Sequence, residues 1–415
     1  MSIKKRHSFQ LVTNRYLTTS LTCHYFFSMS TIFDYIIWRG DLSFEASPFN
    51  EIDALIFCEF AYLRLNGIVP EEFSQEGVTI AQAAETFFAD SDVAARIDTG
   101  LFFSESVARM LKALATTERY GQLRLSGFVE EHDAASEKQF AAITIALGDG
   151  SFFVAFRGTD NTLVGWKEDF NMVFMTPVPA QQSALEYLCR AATRLPGKIR
   201  VGGHSKGGNL AVYAATFCGK RVQRRIGDVY NNDGPGFELS ITQAQEFQEI
   251  SECVHTFVPN QSIVGMLLEH EEDYVVVESH ETGLLQHDPF SWQLDGPHFQ
   301  VVEQVSGGSK MLDRSVKSWL RDLSSQERER VVDGLFEILS SSQASTISEL
   351  VDTWKKNPGK AVSAFLLVNA ETRRLVWRAF QQLFRATHQE IKLDIKLWLQ
   401  EKLQDAETTQ VIVPE

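Results

Sequence analysis

The strongest fold signal in this chain is the stretch Lys198–Phe217, which reads KIRVGGHSKGGNLAVYAATF. An apolar strand pattern runs up to Gly203, and after the turn GHSKG the apolar residues recur at helical spacing. Ser205 stands at this join between two glycines, which best tolerate the backbone angles of a sharp strand-to-helix turn and leave room beside the serine. The pattern predicts a nucleophile elbow that projects the Ser205 hydroxyl from the carboxyl end of a strand. The amide of Lys206 would then face an oxyanion formed there.

A plainer interpretation is that Ser205 caps the helix that follows it. Serine is a favoured N-cap residue, and a glycine-rich turn with a serine is common. The apolar strand before the turn and the apolar helix after it are the context that a nucleophile elbow requires, and they favour the catalytic interpretation.

The composition is that of a soluble globular protein. The chain has 415 residues, of which 44% are hydrophobic and 22% charged, and its formal net charge is −15. A negative charge of this size repels nucleic acid and anionic membranes, and no run approaches the roughly 18 apolar residues of a membrane span. We therefore expect neither a nucleic-acid partner nor an integral membrane segment. Cysteines without CxxC spacing in apolar patterns indicate a reducing cytoplasm; they are Cys23, Cys58, Cys189, Cys218 and Cys253.

Strand and helix patterns predict a mainly parallel sheet. A hairpin is expected over residues 139–156, after which helices and strands alternate up to residue 278, with one helix predicted over 240–250. An earlier core helix is predicted to start at Ser47-Pro48 and to stop at Asn66-Gly67. Alternation of this kind is typical of an α/β fold with helices on both faces of the sheet and the active site at the carboxyl ends of the strands.

A serine nucleophile needs a base and usually an acid that orients the base, and in this fold the chain order is Ser, then Asp or Glu, then His. Asp233 follows a predicted strand in the sequence YNNDGPGF, which makes it the candidate acid. The same residue also suits an Asx-turn or a helix cap. The position after the next strand holds Asn260, Gln261 and Ser262, none of which carries a charge.

The candidates for the base are His280, His287 and His298, which come after the last predicted strand. His287 lies in the loop LLQHDPFSW, where the aromatic residues Phe290 and Trp292 could anchor it against the core. We predict His287 as the base, with His280 second because it directly ends the strand, and His298 as the remaining candidate.

The second oxyanion donor is expected in the loop Arg157-Gly158-Thr159-Asp160, which follows another strand. Gly158 allows a close approach of the backbone, and the amide of Thr159 or Asp160 could then point at the developing charge. For Arg157 we favour a structural ion pair.

Several motifs in order resemble one family. They are FRGTDNTLVGWKEDFNMVF, GGHSKGGNLAVYAA, NNDGPGF, VPNQSIVGMLL and QHDPFSW. Together they resemble the bacterial Mbeg-like α/β-hydrolases and, more distantly, the class 3 lipases, from about Met29 to beyond residue 390. The resemblance implies an α/β-hydrolase fold with Ser205 as nucleophile, His287 as base and Gly158-Thr159 at the oxyanion hole. The chain departs from class 3 lipases after Val258, where their expected aspartate is missing.

The sequence thus leads to the expectation of a cytoplasmic serine hydrolase that cleaves a small-molecule or lipid-like carboxylic ester or thioester. Ser205, His287 and Asp233 would be catalytic, the amides of Lys206 and Thr159 would form the oxyanion hole, and no metal or organic cofactor is implied. The alternative is a catalytically weak or inactive hydrolase fold that serves as a binding scaffold, and a third possibility is a lipid-directed enzyme with a helical lid.

The predicted organisation has three parts. Residues 1–28 are expected to be a disordered extension before a natural start at Met29. Residues 29–305 would form the α/β-hydrolase domain, and residues 306–415 a helical C-terminal subdomain.

Overall fold

The structure, a computed structural model, describes residues 30–97, 104–160, 162–172, 175–268, 270–307 and 323–340, with single positions and short runs between 310 and 381. The predicted N-terminal extension, residues 1–28, lies outside the described residues, as does most of the predicted C-terminal subdomain.

The central sheet of the described part has eight strands, which lie side by side in chain order. They are β1 Val78–Thr79, β2 Arg124–Asp133, β3 Lys138–Ala146, β4 Phe152–Phe156, β5 Ile199–His204, β6 Ile226–Asn232, β7 Val254–Pro259 and β8 Tyr274–Val277. Neighbours from β1 to β4 pair antiparallel, whereas the four pairings from β4 to β8 are parallel. The predicted α/β fold with a mainly parallel sheet is confirmed.

Helices connect and cover these strands. They are α1 Ile32–Arg39, α2 Glu51–Phe60, α3 Ile80–Ala89, α4 Val93–Ile97, α5 Ser104–Leu114, α6 Leu163–Asn171, α7 Pro179–Arg194, α8 Lys206–Phe217, α9 Lys220–Gln223, α10 Leu239–Thr242, α11 Gln245–Gln248 and α12 Ser325–Ser340. Short 3-10 helices span Ser251–Cys253, Gly283–His287 and Pro289–Ser291, and a small hairpin joins β9 Leu294–Asp295 to β10 His298–Phe299. Among the helices that the structure describes, none has the length and apolar character needed to cross a bilayer.

Two hydrophobic cores lie on opposite faces of the sheet because successive strand residues point to opposite sides. On β4, Phe153 and Ala155 join the core that includes α2. Phe152, Val154 and Phe156 join the core that includes α7 and α8. The elbow strand β5 is covered from both sides, so its carboxyl end is held in a fixed position.

Two of the predicted helices differ in extent from those in the structure. Helix α2 begins after Asn50 rather than at Ser47-Pro48, because the Asn50 side chain accepts hydrogen bonds from the amides of Ile52 and Asp53. It ends at Phe60, well before Asn66-Gly67. The helix predicted over 240–250 is divided into α10 and α11, with a turn between them.

Candidate active site

Ser205 occupies the turn between β5 and α8 in a strained conformation. Its φ of 58° and ψ of −134° are unusual for a residue with a side chain, and such strain costs about 1–3 kcal/mol that the surrounding structure must offset. The turn closes this tightly because of Gly203 and Gly207: a Cβ on Gly203 would lie 2.1 Å from the backbone of Gly207. Ser205 holds the N-cap position, but its side chain makes no capping hydrogen bond, which argues against the helix-cap interpretation.

Asp233 and His287 meet across the loops that follow β6 and β8. The Nδ1 atom of His287 lies 2.6 Å from Oδ2 of Asp233, whose side chain is fully buried, whereas that of His287 is 20% exposed. A carboxylate only accepts hydrogen bonds, so Nδ1 carries the hydrogen and Nε2 is the unprotonated nitrogen of the neutral ring. Within the described part of the chain, Nε2 of His287 has no hydrogen-bond partner.

The other oxygen of Asp233 is held by the loop after β7. It accepts a hydrogen bond from the Ser262 hydroxyl at 2.5 Å and one from the Gly265 amide at 3.1 Å. The local turn is closed instead by Asn231, whose side chain accepts from the amide of Gly234 at 3.0 Å. The side chain of Asp233 therefore serves His287 and not an Asx-turn.

His204, the residue before Ser205, connects His287 to the elbow. Its Nε2 lies 2.9 Å from the backbone oxygen of His287, and the two imidazole rings are 4.6 Å apart between centroids. Burial lowers the pKa of His204 well below its ordinary value, and the nearby His287 adds to the effect, so His204 is neutral and its Nε2–H donates to that oxygen. The predicted aromatic anchor is also present, because Trp292 is fully buried and its indole N–H donates to the Gln286 oxygen at 2.8 Å.

The other two histidine candidates lie elsewhere. His280 is exposed, and its backbone amide bonds to Ser291. His298 is 2.6 Å from Glu51 at the surface. Neither meets Asp233. The Ser205 hydroxyl makes no hydrogen bond with any residue that the structure describes.

The two expected oxyanion donors flank the elbow. Gly158 lies against it so closely that a Cβ there would be 3.0 Å from the Cβ of Ser205. Among the described residues, the amides of Lys206 and Thr159 have no hydrogen-bond acceptor. Arg157 forms the expected ion pair, with Nη1 2.5 Å from Glu130.

Sequence reasoning missed the buried charged groups behind the elbow. The Lys206 side chain is 1% exposed and pairs with Glu168 on α6 at 2.8 Å. Glu59, which has no exposed surface, lies 3.3 Å from Nδ1 of His204, and burial raises the pKa of its carboxyl well above the ordinary value. The signal for the first pair was available: a lysine in a tightly packed elbow requires a buried carboxylate, and α6 offers Glu168 and Asp169.

Comparison with known proteins gives a family and a distant structural overlap. No curated protein matches the chain. The crystal structure of M37 lipase overlaps with a TM-score of 0.34 and 15% identity, over 52% of this chain and 70% of the lipase, and an overlap this weak carries no argument. The sequence model of the Mbeg1-like family matches residues 114–337, just over half of the chain and the part that holds the elbow, Asp233 and His287. The chain therefore belongs to the Mbeg1-like family.

Proposed function

We propose that this protein is a serine hydrolase that cleaves a carboxylic ester or thioester through an acyl-enzyme. The observation that carries the proposal is the 2.6 Å contact between His287 and a buried Asp233, in a loop that contacts the residue next to a strained Ser205. In this proposal three distant parts of the chain supply the nucleophile Ser205 after β5, the acid Asp233 after β6 and the base His287 after β8.

In the acylation step, Ser205 Oγ attacks the carbonyl carbon of the substrate while Nε2 of His287 takes the hydroxyl proton. The imidazolium formed is stabilised by the carboxylate of Asp233, which keeps the ring oriented through Nδ1. The carbonyl oxygen becomes an oxyanion and accepts hydrogen bonds from the amides of Lys206 and Thr159. The intermediate collapses when the leaving oxygen or sulfur takes the proton back from His287.

Deacylation repeats these steps with water as the nucleophile. His287 takes a proton from the water, the hydroxide adds to the acyl carbon, and the second tetrahedral intermediate releases the carboxylic acid and restores the Ser205 hydroxyl. The same two amides stabilise this oxyanion, and each donor of this kind contributes about 2.7–4 kcal/mol to the barrier reduction in serine enzymes.

The alternative of an inactive scaffold depended on the missing acid after Val258. The contact of His287 with Asp233, which follows the preceding strand and is held by Ser262, supports the hydrolase over the scaffold. We further propose a cytoplasmic location and a small-molecule or lipid-like ester as substrate. The location is supported by four described cysteines that are all free thiols, as is usual in a reducing compartment.

Ser205→Ala tests the nucleophile. We expect it to lower the turnover of a short p-nitrophenyl ester by several orders of magnitude and to abolish labelling by a fluorophosphonate probe, since removal of a triad nucleophile leaves only residual catalysis. His287→Ala should do nearly the same, because without the base the hydroxyl is a weak nucleophile.

The control is Ser240→Ala, which removes an exposed serine on α10 and should change neither turnover nor labelling. A wild-type protein that the probe does not label would contradict the hydrolase proposal and favour the scaffold. Labelling that persists in Ser205→Ala would assign the nucleophile to another residue.

A further inference from the structure

A closed hydrogen-bond network lies beneath the elbow. The Lys206 ammonium donates to the backbone oxygen of Gln139 at 3.0 Å, to its side-chain Oε1 at 2.8 Å and to Oε2 of Glu168 at 2.8 Å. An ammonium has three donors, and all three are used here. Gln139 and Glu168 have no exposed surface, so water does not replace these bonds.

Gln139 links this network to the loop that carries the second oxyanion donor. Its Nε2 donates to the backbone oxygen of Gly158 at 3.5 Å. The peptide bond between Gly158 and Thr159 is trans, so the oxygen of Gly158 and the N–H of Thr159 point in opposite directions. A bond that holds the oxygen towards Gln139 therefore directs the Thr159 amide away from Gln139.

The side chain of Thr159 is held through the same lysine. Its hydroxyl donates to Asp169, the residue after Glu168 on α6. The other carboxyl oxygen of Asp169 lies 3.7 Å from the Lys206 ammonium. Both the peptide plane before Thr159 and its side chain are thus tied to Lys206, one through Gln139 and the other through Asp169.

We propose that the side chains of Lys206 and Gln139 are positioning residues for the oxyanion hole. Lys206 gives one donor through its own amide, and its ammonium holds Gln139, which sets the direction of the other donor, the amide of Thr159. This inference rests on the proposed hydrolase function and deepens it. A donor aimed before the substrate binds needs no reorganisation during the reaction, which is the basis of oxyanion stabilisation.

The test is Gln139→Met, which keeps the length of the side chain and removes the amide. We expect kcat for a p-nitrophenyl ester to fall by about 10- to 100-fold, less than the full loss of a donor, while KM changes by less than about threefold. A trifluoromethyl ketone forms a tetrahedral alkoxide on the serine, so its inhibition constant should rise by the same factor as kcat falls. If Gln139 had only a structural role, the fall in kcat and the rise in the inhibition constant of the ketone would not match.

Two further variants complete the design. The double variant Lys206→Met with Glu168→Gln removes the two charges of the closest ion pair together, while Asp169 keeps the hydrogen bond from the Thr159 hydroxyl. This variant should also raise the inhibition constant of the ketone. Thr144→Val is the matched control, because it deletes a buried hydroxyl on the same strand β3, bonded at 2.9 Å to Tyr187, and should leave kcat unchanged. Circular dichroism establishes that each variant is folded.

The outcomes separate this inference from the function on which it rests. A folded Gln139→Met variant with kcat and ketone inhibition within about twofold of an active wild type would overturn the positioning role alone. A wild-type protein that neither hydrolyses esters nor reacts with a fluorophosphonate would overturn the proposed function, and this inference with it.

Discussion

The side chain of Ser262, in the loop after β7, holds a carboxylate that the loop after β6 supplies. The first residues after β7, Asn260, Gln261 and Ser262, carry no charge. The Ser262 hydroxyl and the Gly265 amide instead both donate hydrogen bonds to Oδ1 of Asp233, which lies in the loop after the neighbouring strand β6. The carboxylate is therefore placed by one loop and held by the next. Such support fixes the orientation of Asp233 and, through it, that of His287.

Ser262→Ala should lower kcat by about tenfold. A hydrogen bond to a charged group contributes about 1.5–3 kcal/mol, and Asp233 keeps the Gly265 amide and His287 when the hydroxyl is lost. Steady-state kinetics with a p-nitrophenyl ester measures the change. Thr256→Val is the control, since Thr256 makes a comparable 2.8 Å bond to a different carboxylate, that of Glu272. Equal losses in the two variants would mean that Ser262 acts only on stability.

At the scale of the elements, sequence periodicity predicted the strands, because period-2 and helical patterns are local. The chain order of the candidate site residues could then be read from the strands that they follow. The elbow and the positions of Asp233 and His287 after their strands followed from those patterns. The start of α2 depends on a side-chain cap at Asn50, which competes with the Ser47-Pro48 signal. The pairing of Lys206 with Glu168 joins elements far apart in the chain, and a periodic pattern does not identify such partners.

The loop that carries His287 also contains a perturbed carboxyl. Burial raises the pKa of Asp288 to about 6, although its side chain accepts a bond from the Phe290 amide at 3.0 Å. The titratable groups near it are Glu281, His280 and His287 on its own loop and Glu59 on α2. A carboxyl whose pKa is raised on folding contributes stability that is fully present below its unfolded pKa near 4 and is lost as the pH rises through 6.

Asp288→Asn should therefore make the free energy of unfolding depend less on pH. Asparagine keeps an oxygen that can accept from Phe290 and does not ionise. Between pH 5 and pH 8 we expect the wild type to lose about 1 kcal/mol of unfolding free energy relative to the variant. Urea unfolding of both proteins at the two pH values measures this difference. If the free energy of unfolding changed equally with pH in both proteins, the raised pKa of Asp288 would have no role in stability.

At the scale of the whole molecule, helix α12 contacts the helix that follows the Gly158-Thr159 loop. Helix α12 packs on α6, where Val332 and Phe336 form a cluster with Leu163, and the Phe336 ring lies 5.8 Å from that of Phe170. Lys167 on α6 also pairs with Asp333 at 3.0 Å. Because α6 supplies Glu168 and Asp169 to the network under the elbow, α12 supports the helix whose side chains bond to Lys206 and Thr159.

Phe336→Ala should consequently weaken both stability and catalysis. The substitution removes a buried ring and leaves a cavity, which costs about 3–5 kcal/mol in a well-packed core and less at a cluster of this size. If α12 holds α6 in place, kcat should fall while KM changes little, because the loop of Thr159 loosens and substrate contacts elsewhere remain. Glu337→Ala, one residue further along α12 and exposed, is the control that should change neither quantity. A Phe336→Ala protein with a lower unfolding midpoint and an unchanged kcat would show that α12 stabilises the fold without acting on the oxyanion hole.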